Sequence, residues 1–289
     1  MEVRQETDYA LKEILTVMQL PKSVYYYWIK HMDDKVRKDQ WLVDKVKSIV
    51  LKHKGRYGYR RIQVELEQSE GIRVNHKRLL RIMRLHNLLC QKFRNKSRQK
   101  YSSYKGNIGK VAPNHVNRHF QSKQLNQLWV TDVTEFGLPI EGRKLYLSTI
   151  MDCYNSEIIA YKMSHSPTLD IATDPLHKAL NTHQSQLNHL VVHSDQGYQY
   201  QHRSWRHLLE TFGATMSMSR KGNCLDNAAM ENFFGILKQE MFYGVTFESY
   251  RSLEESIHEY INYYNKSRIK TKLKGMSPEQ FRKHTLKTV

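Results

Sequence analysis

The sequence predicts a mixed α/β domain preceded by a basic, all-helical region, and three observations predict it. Charge is one-sided: residues 1–130 hold 28 Lys+Arg and 11 Asp+Glu (+17), whereas residues 131–289 hold 18 and 17. Texture changes near residue 127, from apolar residues at helical spacing to short runs rich in β-branched and aromatic residues. Beyond that point the elements read β-β-β-α-β-α-β-α, a three-strand meander followed by alternating helices and strands. The full 289 residues suit two or three compact units, and a 39% hydrophobic content supplies real cores.

Composition excludes several classes. No apolar run approaches the roughly 18 residues of a membrane span, and no signal-peptide core is present. Cys90, Cys153 and Cys224 are scattered without a CxxC pair. They exclude a disulfide framework or a cysteine-rich zinc site and fit a reducing cytoplasm. The net +18 calls for an acidic partner, of which nucleic acid is the commonest. A solvated basic surface with no partner is the bland alternative. Sixteen basic against three acidic residues between 52 and 105 weigh against it, since such a cluster repels itself unless neutralised.

In the front section, residues 9–18 have helical spacing, 19–23 break it and 24–30 resume it. A helix-turn-helix and an ordinary helical hairpin with inward Tyr and Trp side chains fit this stretch equally. Residues 44–52 form another helix, with Val43, Val46, Ile49 and Val50 on its apolar side. A Gly-punctuated basic and aromatic loop spans 54–61, and helices follow at 62–68 and 75–86. Gly71 marks the break between them and Asn75 the N-cap. Arg56, Arg60, Arg61, Lys77, Arg78 and Arg81 are candidates to neutralise phosphates, and Tyr57 to stack on DNA or position the backbone. The polar, basic segment 91–126 reads as a linker.

In the rear section, strands are expected at 128–136, 144–153, 157–163, 188–193 and 214–219. Helices are expected at 168–183, 201–212 (stopped by Gly213), 225–241 and 248–265. Within this frame three carboxylates are placed for chemistry: Asp132 inside the first strand, Asp195 at the end of the fourth and Glu231 on the late helix. Asp is a poor strand residue, so Asp132 among Val and Trp wants a reason. Asp195 falls outside the carboxyl end of a strand, where ligands bind in open α/β sheets. Together, three carboxylates repel, and Mg²⁺ or Mn²⁺ resolves that repulsion. Two such ions activate an attacking hydroxyl and stabilise a leaving oxygen. Edge-strand, turn and solvated-helix roles remain open for each residue singly. Glu135, Asp152 and Asp226 occupy similar places, Asp226 reading as the N-cap of the helix that carries Glu231.

At these residues the chain resembles the insertion-sequence transposases of the IS3 family, the second-frame (OrfB-type) product. The matching segments are WVTDVTEF (129–136), HSDQGYQY (193–200), KGNCLDNAAMENFFGILKQE (221–240) and YINYYNKSRIKTKLKGMSPEQF (260–281), with KGRYGYRRIQVEL (54–66) and LPKSVYYYW (20–28) upstream. Between Asp195 and Glu231 lie 35 residues, the interval that family keeps. The resemblance implies a ribonuclease-H-like integrase core with Asp132, Asp195 and Glu231 as metal-binding catalytic triad and two Mg²⁺ (or Mn²⁺) ions. It implies a DNA contact at Lys238, and places Gln196, Gly197, Tyr200 and Asn227 in the active-site loops.

The implied partners are double-stranded DNA, as terminal inverted repeats and target, a homo-oligomer on that DNA, and an upstream first-frame product. The implied location is the bacterial cytoplasm, with the nucleoid. Expected boundaries are 1–90 for the DNA-binding region, 91–126 for the linker, 127–245 for the core and 246–289 for a helical extension. An endonuclease that cuts without joining and a catalytically silent DNA-binding regulator are the rival readings.

Overall fold

A computed structural model describes residues 9–93, 111–138, 142, 144–187, 189–220 and 223–288. The chain divides into two compact units, Met1–Gln91 and Lys92–Val289. Residues 94–110 of the expected linker lie outside the described residues, as do Lys221 and Gly222 of the late motif.

The front unit is helical: α1 (Leu11–Val17), α2 (Lys22–Lys52), α3 (Tyr59–Glu70) and α4 (His76–Leu85). The break between α1 and α2 is where the sequence placed it, with Gln19 at φ 53° and Pro21 just before the first residue of α2. The two helices expected at 24–30 and 44–52 are one helix of 31 residues. The intervening stretch contains no Gly or Pro to stop a helix and has few apolar residues, so it propagates helix without showing an apolar face. Leu42, Val43, Val46 and Ile49 of α2, Ile62 and Leu66 of α3, and Leu79, Ile82 and Met83 of α4 form the buried core of the unit. Gly71, at φ 68°, closes α3 in the left-handed conformation that glycine tolerates best. The Asn75 side chain accepts the Lys77 N–H at 2.8 Å, capping α4.

The rear unit is built on a five-stranded sheet in the order β3-β2-β1-β4-β5. The strands are β1 (Leu128–Gly137), β2 (Lys144–Asp152), β3 (Glu157–Ser164), β4 (Val191–Ser194) and β5 (Thr215–Met218). The first three form the expected antiparallel meander, and β4 and β5 add in parallel on the other side of β1. This is the mixed sheet flanked by helices, behind a helical region, that the sequence predicts. Helices α5 (Asp170–His183), α6 (Tyr198–Gln201) and α7 (Arg203–Thr211) precede β5. Then come α8 (Ala228–Leu237), α9 (Tyr250–Lys266) and α10 (Pro278–Thr288).

Alternation along the strands divides the core into two layers. Val130, Leu147 and Met151 pack with Met230, Phe233 and Leu237 of α8 and Leu253, Ile257 and Ile261 of α9. Trp129, Ile150 and Val192 pack with Leu176 and Leu180 of α5 and Trp205 and Leu209 of α7. Asn265 at the end of α9 stands in for a strand partner: its amide accepts from Ile158 N at 3.0 Å and donates to Ile158 O at 2.8 Å.

The helix expected at 225–241 is shorter. A 3₁₀ turn, Cys224–Asn227, leads into α8, and a π-turn, Lys238–Phe242, follows it. Among the described residues no helix is long and apolar enough to cross a membrane.

Candidate active site

The sheet register sets Asp132 beside Asp195. Strands β1 and β4 run parallel with Val130 opposite His193 as their last pair, and Asp132 and Asp195 each lie two residues beyond it, near enough for the charge of Asp195 to act on Asp132. Asp132 Oδ1 accepts the N–H of Val133 at 2.8 Å, and its Oδ2 accepts the side-chain amide of Asn227 at 2.8 Å. Asp195 Oδ1 accepts the N–H of Gly197 at 2.8 Å. Both carboxyls keep some solvent access but are hemmed in by protein. Burial raises Asp132 well above the usual carboxylate range, the charge of Asp195 raises it further, and Glu231 adds to the push. Burial also raises Asp195, against the Gly197 hydrogen bond, and raises Glu231.

What separates these desolvated carboxylates from the buried ones elsewhere is that they have no ion pair among the described residues. Among the described residues each buried carboxylate elsewhere is paired: Asp39 with Arg78 and Glu65 with Lys52, both at 2.6 Å, Asp152 with Arg282 at 2.8 Å, Asp226 with Arg220 at 2.8 Å, and Glu240 with Arg268 at 2.6 Å. Exposed Glu135 pairs with Lys144 at 2.9 Å. Asp132, Asp195 and Glu231 make no ion pair among the described residues. In a chain of net +18 that is a distinction, since cations are abundant.

The loops around the pair are tied down by their own chemistry. A Cβ on Gly197 would stand 3.0 Å from Asp195 Oδ1 and from both amide atoms of Gln199, so only glycine fits without displacement. Gln196 donates to Ser219 O at 3.0 Å, fastening the loop after β4 to the end of β5. Tyr200 is fully buried below the pair, edge-on to Trp205 at 4.9 Å, with its hydroxyl 3.5 Å from Thr131 Oγ1. Burial raises its phenol, and the charges of Asp132 and Asp195 raise it further.

Asp226 does not cap α8, contrary to expectation. It is buried and accepts from Arg220 Nε and Nη2 at 2.8 and 2.9 Å, from Arg118 Nε at 3.2 Å and from Asn114 Nδ2 at 3.0 Å. Arg220 holds its carboxyl far below the usual range. His193, buried and kept neutral by desolvation, donates from Nε2 to Asp226 O at 2.8 Å. The next residue, Asn227, then reaches Asp132. Sequence spacing gave no sign of this support, because Asn114 and Arg118 are more than 100 positions from Asp226.

Lys238 opens the π-turn that follows α8. Its ammonium lies 5.1 Å from the Phe136 ring centroid; burial lowers its pKa, while Glu135 and Asp132 favour its charge.

In the front unit, two expected DNA contacts face inward. Tyr57 is 1% exposed and stacks on His53 at 3.8 Å, and Arg56 is 9% exposed. Gly58 ends the loop and α3 begins at once, turning the preceding aromatic into the core. Arg61 is half-buried, its guanidinium 5.6 Å from the Tyr57 ring. Arg60, Lys77, Arg78 and Arg81 are exposed.

The donor set fits a hard divalent cation in kind: oxygen ligands, desolvated, mutually repulsive and not neutralised by the protein. It is not a closed three-ligand cage. Among the described residues no three His, Cys, Asp or Glu side chains are gathered closely enough to hold a metal ion. Asp132 and Asp195 come together, and Glu231 stands within electrostatic reach of Asp132.

Residues 122–224 and 231–286 match two models described as integrase core domain, and residues 37–97 match an HTH-like domain. The chain is 42% identical over 287 residues to the putative transposase InsK for insertion sequence element IS150 of Escherichia coli (strain K12), covering 98% of this chain and 96% of that one. It is 47% identical over 217 residues to an uncharacterized transposase-like protein of Haemophilus influenzae, covering 75% and 97%. It is 30% identical over 290 residues to transposase InsF for insertion sequence IS3A of E. coli (strain K12), covering 98% and 97%. Among solved structures, the HTLV-2 integrase catalytic core domain in complex with magnesium aligns over 56% of this chain and 99% of that one, with a TM-score of 0.42 and 14% identity, a likeness too remote to bear on chemistry. An integrase core behind an HTH-like domain, and end-to-end identity with insertion-sequence transposases, place the chain in the IS3 family of transposases.

Proposed function

We propose that this chain is a DNA transposase that cuts at the ends of its insertion sequence and joins them to a target, with Asp132, Asp195 and Glu231 as catalytic carboxylates. The observation that carries this reading is the pair of desolvated carboxylates brought together on β1 and just after β4, with no ion pair among the described residues. Two Mg²⁺ or Mn²⁺ ions held by Asp132, Asp195 and Glu231 would supply nucleophile activation and charge neutralisation.

The chain's own residues orient the site. Asn227 and the Val133 N–H fix the two oxygens of Asp132, the Gly197 N–H fixes one oxygen of Asp195, and Lys238 offers a positive charge to donor-end DNA. In the reaction, water attacks a phosphorus atom in line and the P–O3′ bond breaks, freeing a 3′-hydroxyl. That hydroxyl then attacks a target phosphorus atom, and the target's P–O3′ bond breaks in turn. No covalent enzyme–DNA intermediate is required.

Residues 1–90 would hold the terminal repeats through Arg60, Lys77, Arg78 and Arg81, 91–126 would link, 127–245 would form the catalytic core and 246–289 would extend it. Assembly as a homo-oligomer on DNA, cooperation with an upstream first-frame product and a place at the bacterial nucleoid belong to the same reading, as what the family resemblance implies.

A strand-transfer assay with a pre-cleaved terminal-repeat duplex tests it. Joined product is expected with Mg²⁺, and none in chelator or with Asp132→Asn, Asp195→Asn or Glu231→Gln. Cutting without joining would favour an endonuclease, and three variants indistinguishable from wild type would favour a silent DNA-binding regulator.

A further inference from the structure

Asp39 has no role in the reading above, yet it is the most heavily engaged acidic side chain of the front unit. It lies on α2, 7% exposed, just before the residues that build the core of the unit. Two arginines of α4 close on it. Arg78 donates to Oδ1 from Nε at 2.9 Å and from Nη2 at 2.6 Å, and Arg81 donates from Nη2 to Oδ2. The guanidinium of Arg78 also lies 5.9 Å from the centroid of the Trp41 ring, so carboxylate and indole hold it from two sides. Both arginines nevertheless remain open to solvent, with side chains 41% and 53% exposed.

A guanidinium has five N–H donors. Asp39 takes two from Arg78 and one from Arg81, leaving the Nη1 edge of each unused by it. One negative charge against two positive also leaves the cluster cationic. Neighbouring Lys77 and Arg84 on α4 are exposed. A nonspecific phosphate contact needs charge and tolerates a mobile side chain. Reading a base edge needs a planar donor fork in a set orientation, which two arginines braced by one buried carboxylate have before any DNA arrives.

We infer that Asp39 is a positioning residue for sequence recognition: it braces Arg78 and Arg81 so that their free donor edges meet the acceptor-rich major-groove edge of guanine. This rests on the front unit being the DNA-binding region.

The test uses the full chain and a pool of duplexes with a randomised central stretch. The duplex enriched by wild type and an unrelated duplex of equal length are then titrated at several salt concentrations. Asp39→Asn is expected to lose about tenfold of the preference, concentrated at one or two G·C positions. Its affinity for the unrelated duplex should hold or rise, because a negative charge is gone. Arg78→Lys, which keeps the charge and loses the fork, should lose preference at the same positions.

The inference is overturned if Asp39→Asn keeps its preference, if affinity for both duplexes falls equally, or if wild type binds DNA with no preference. Wild type binding no duplex at all would instead overturn the DNA-binding reading, and this inference with it.

Discussion

Asp132 is a residue that folding disfavours in its charged form. It sits in a central strand, desolvated, beside Asp195 and without an ion-pair partner among the described residues. A carboxyl whose pKa is raised by folding contributes stability below its unfolded value and loses it as pH rises through the folded value. Asp132→Asn in chelator should therefore melt a few degrees above wild type at neutral pH. The difference should open from about pH 4, the ordinary carboxylate value, and level off above the raised one. The substitution is sterically mild, and Asn227 Oδ1 is buried without a hydrogen-bond partner among the described residues, so a flipped Asn227 amide can accept from the new amide. Added Mg²⁺ should raise the melting temperature of wild type and leave that of the variant where it is. A variant less stable than wild type at every pH would contradict this account. At Gly197 the constraint is steric: Gly197→Ala crowds Asp195 Oδ1 at 3.0 Å. The carboxyl must give by a few tenths of an ångström, so strand transfer should fall, by less than the roughly hundredfold of a 1 Å misplacement, with little change in melting temperature.

At the level of elements, the candidate site depends on how α8 is held against β1 and β4. Its entry is bolted through Asp226 to Arg220, Arg118 and Asn114 and through the Asp226 carbonyl to His193. Its exit is held by a second buried group: Glu240 in the π-turn accepts from Arg268 Nη2 at 2.6 Å and from the Tyr260 hydroxyl at 2.9 Å. Arg268 is 1% exposed, so its removal leaves a buried carboxylate without its cation. Arg268→Ala should cost about 3–5 kcal/mol in chemical denaturation. The double substitution Arg268→Met with Glu240→Gln should cost clearly less, because no charge is then stranded. Equal losses in the two variants would mean that packing, not the ion pair, holds the exit of α8.

For the whole molecule, charge is the organising quantity. The front 130 residues carry +17 of the total +18. Counterion release makes log affinity for duplex DNA fall linearly with log salt, by about 0.9 for each phosphate neutralised. Neutralising Arg60 or Lys77, both exposed, should reduce that slope by about one each. A salt-independent affinity would sever the link between the basic front and DNA. The rear is nearly neutral overall, and the desolvated carboxyls of Asp132, Asp195 and Glu231 make no ion pair there among the described residues.

The amino-acid sequence by itself determined the change of texture near residue 127, the strand meander, the helical front, the candidate carboxylates and the family. The elements and the carboxylates are written in periodicity, composition or spacing, and the family in motifs that resemble it, all of which a linear chain displays directly. Only the tertiary structure decided that Tyr57 points inward, that α2 runs unbroken, that Asp226 anchors rather than caps, and that Asp39 braces two arginines. It also set Asp132 and Asp195 apart from Asp152 and Asp226 by their surroundings, because a carboxylate's environment depends on which cation reaches it. Arg118 and Arg282 reach theirs from 108 and 130 positions away. Pairing over such distances follows from how helices and sheet pack together, and no local pattern encodes it.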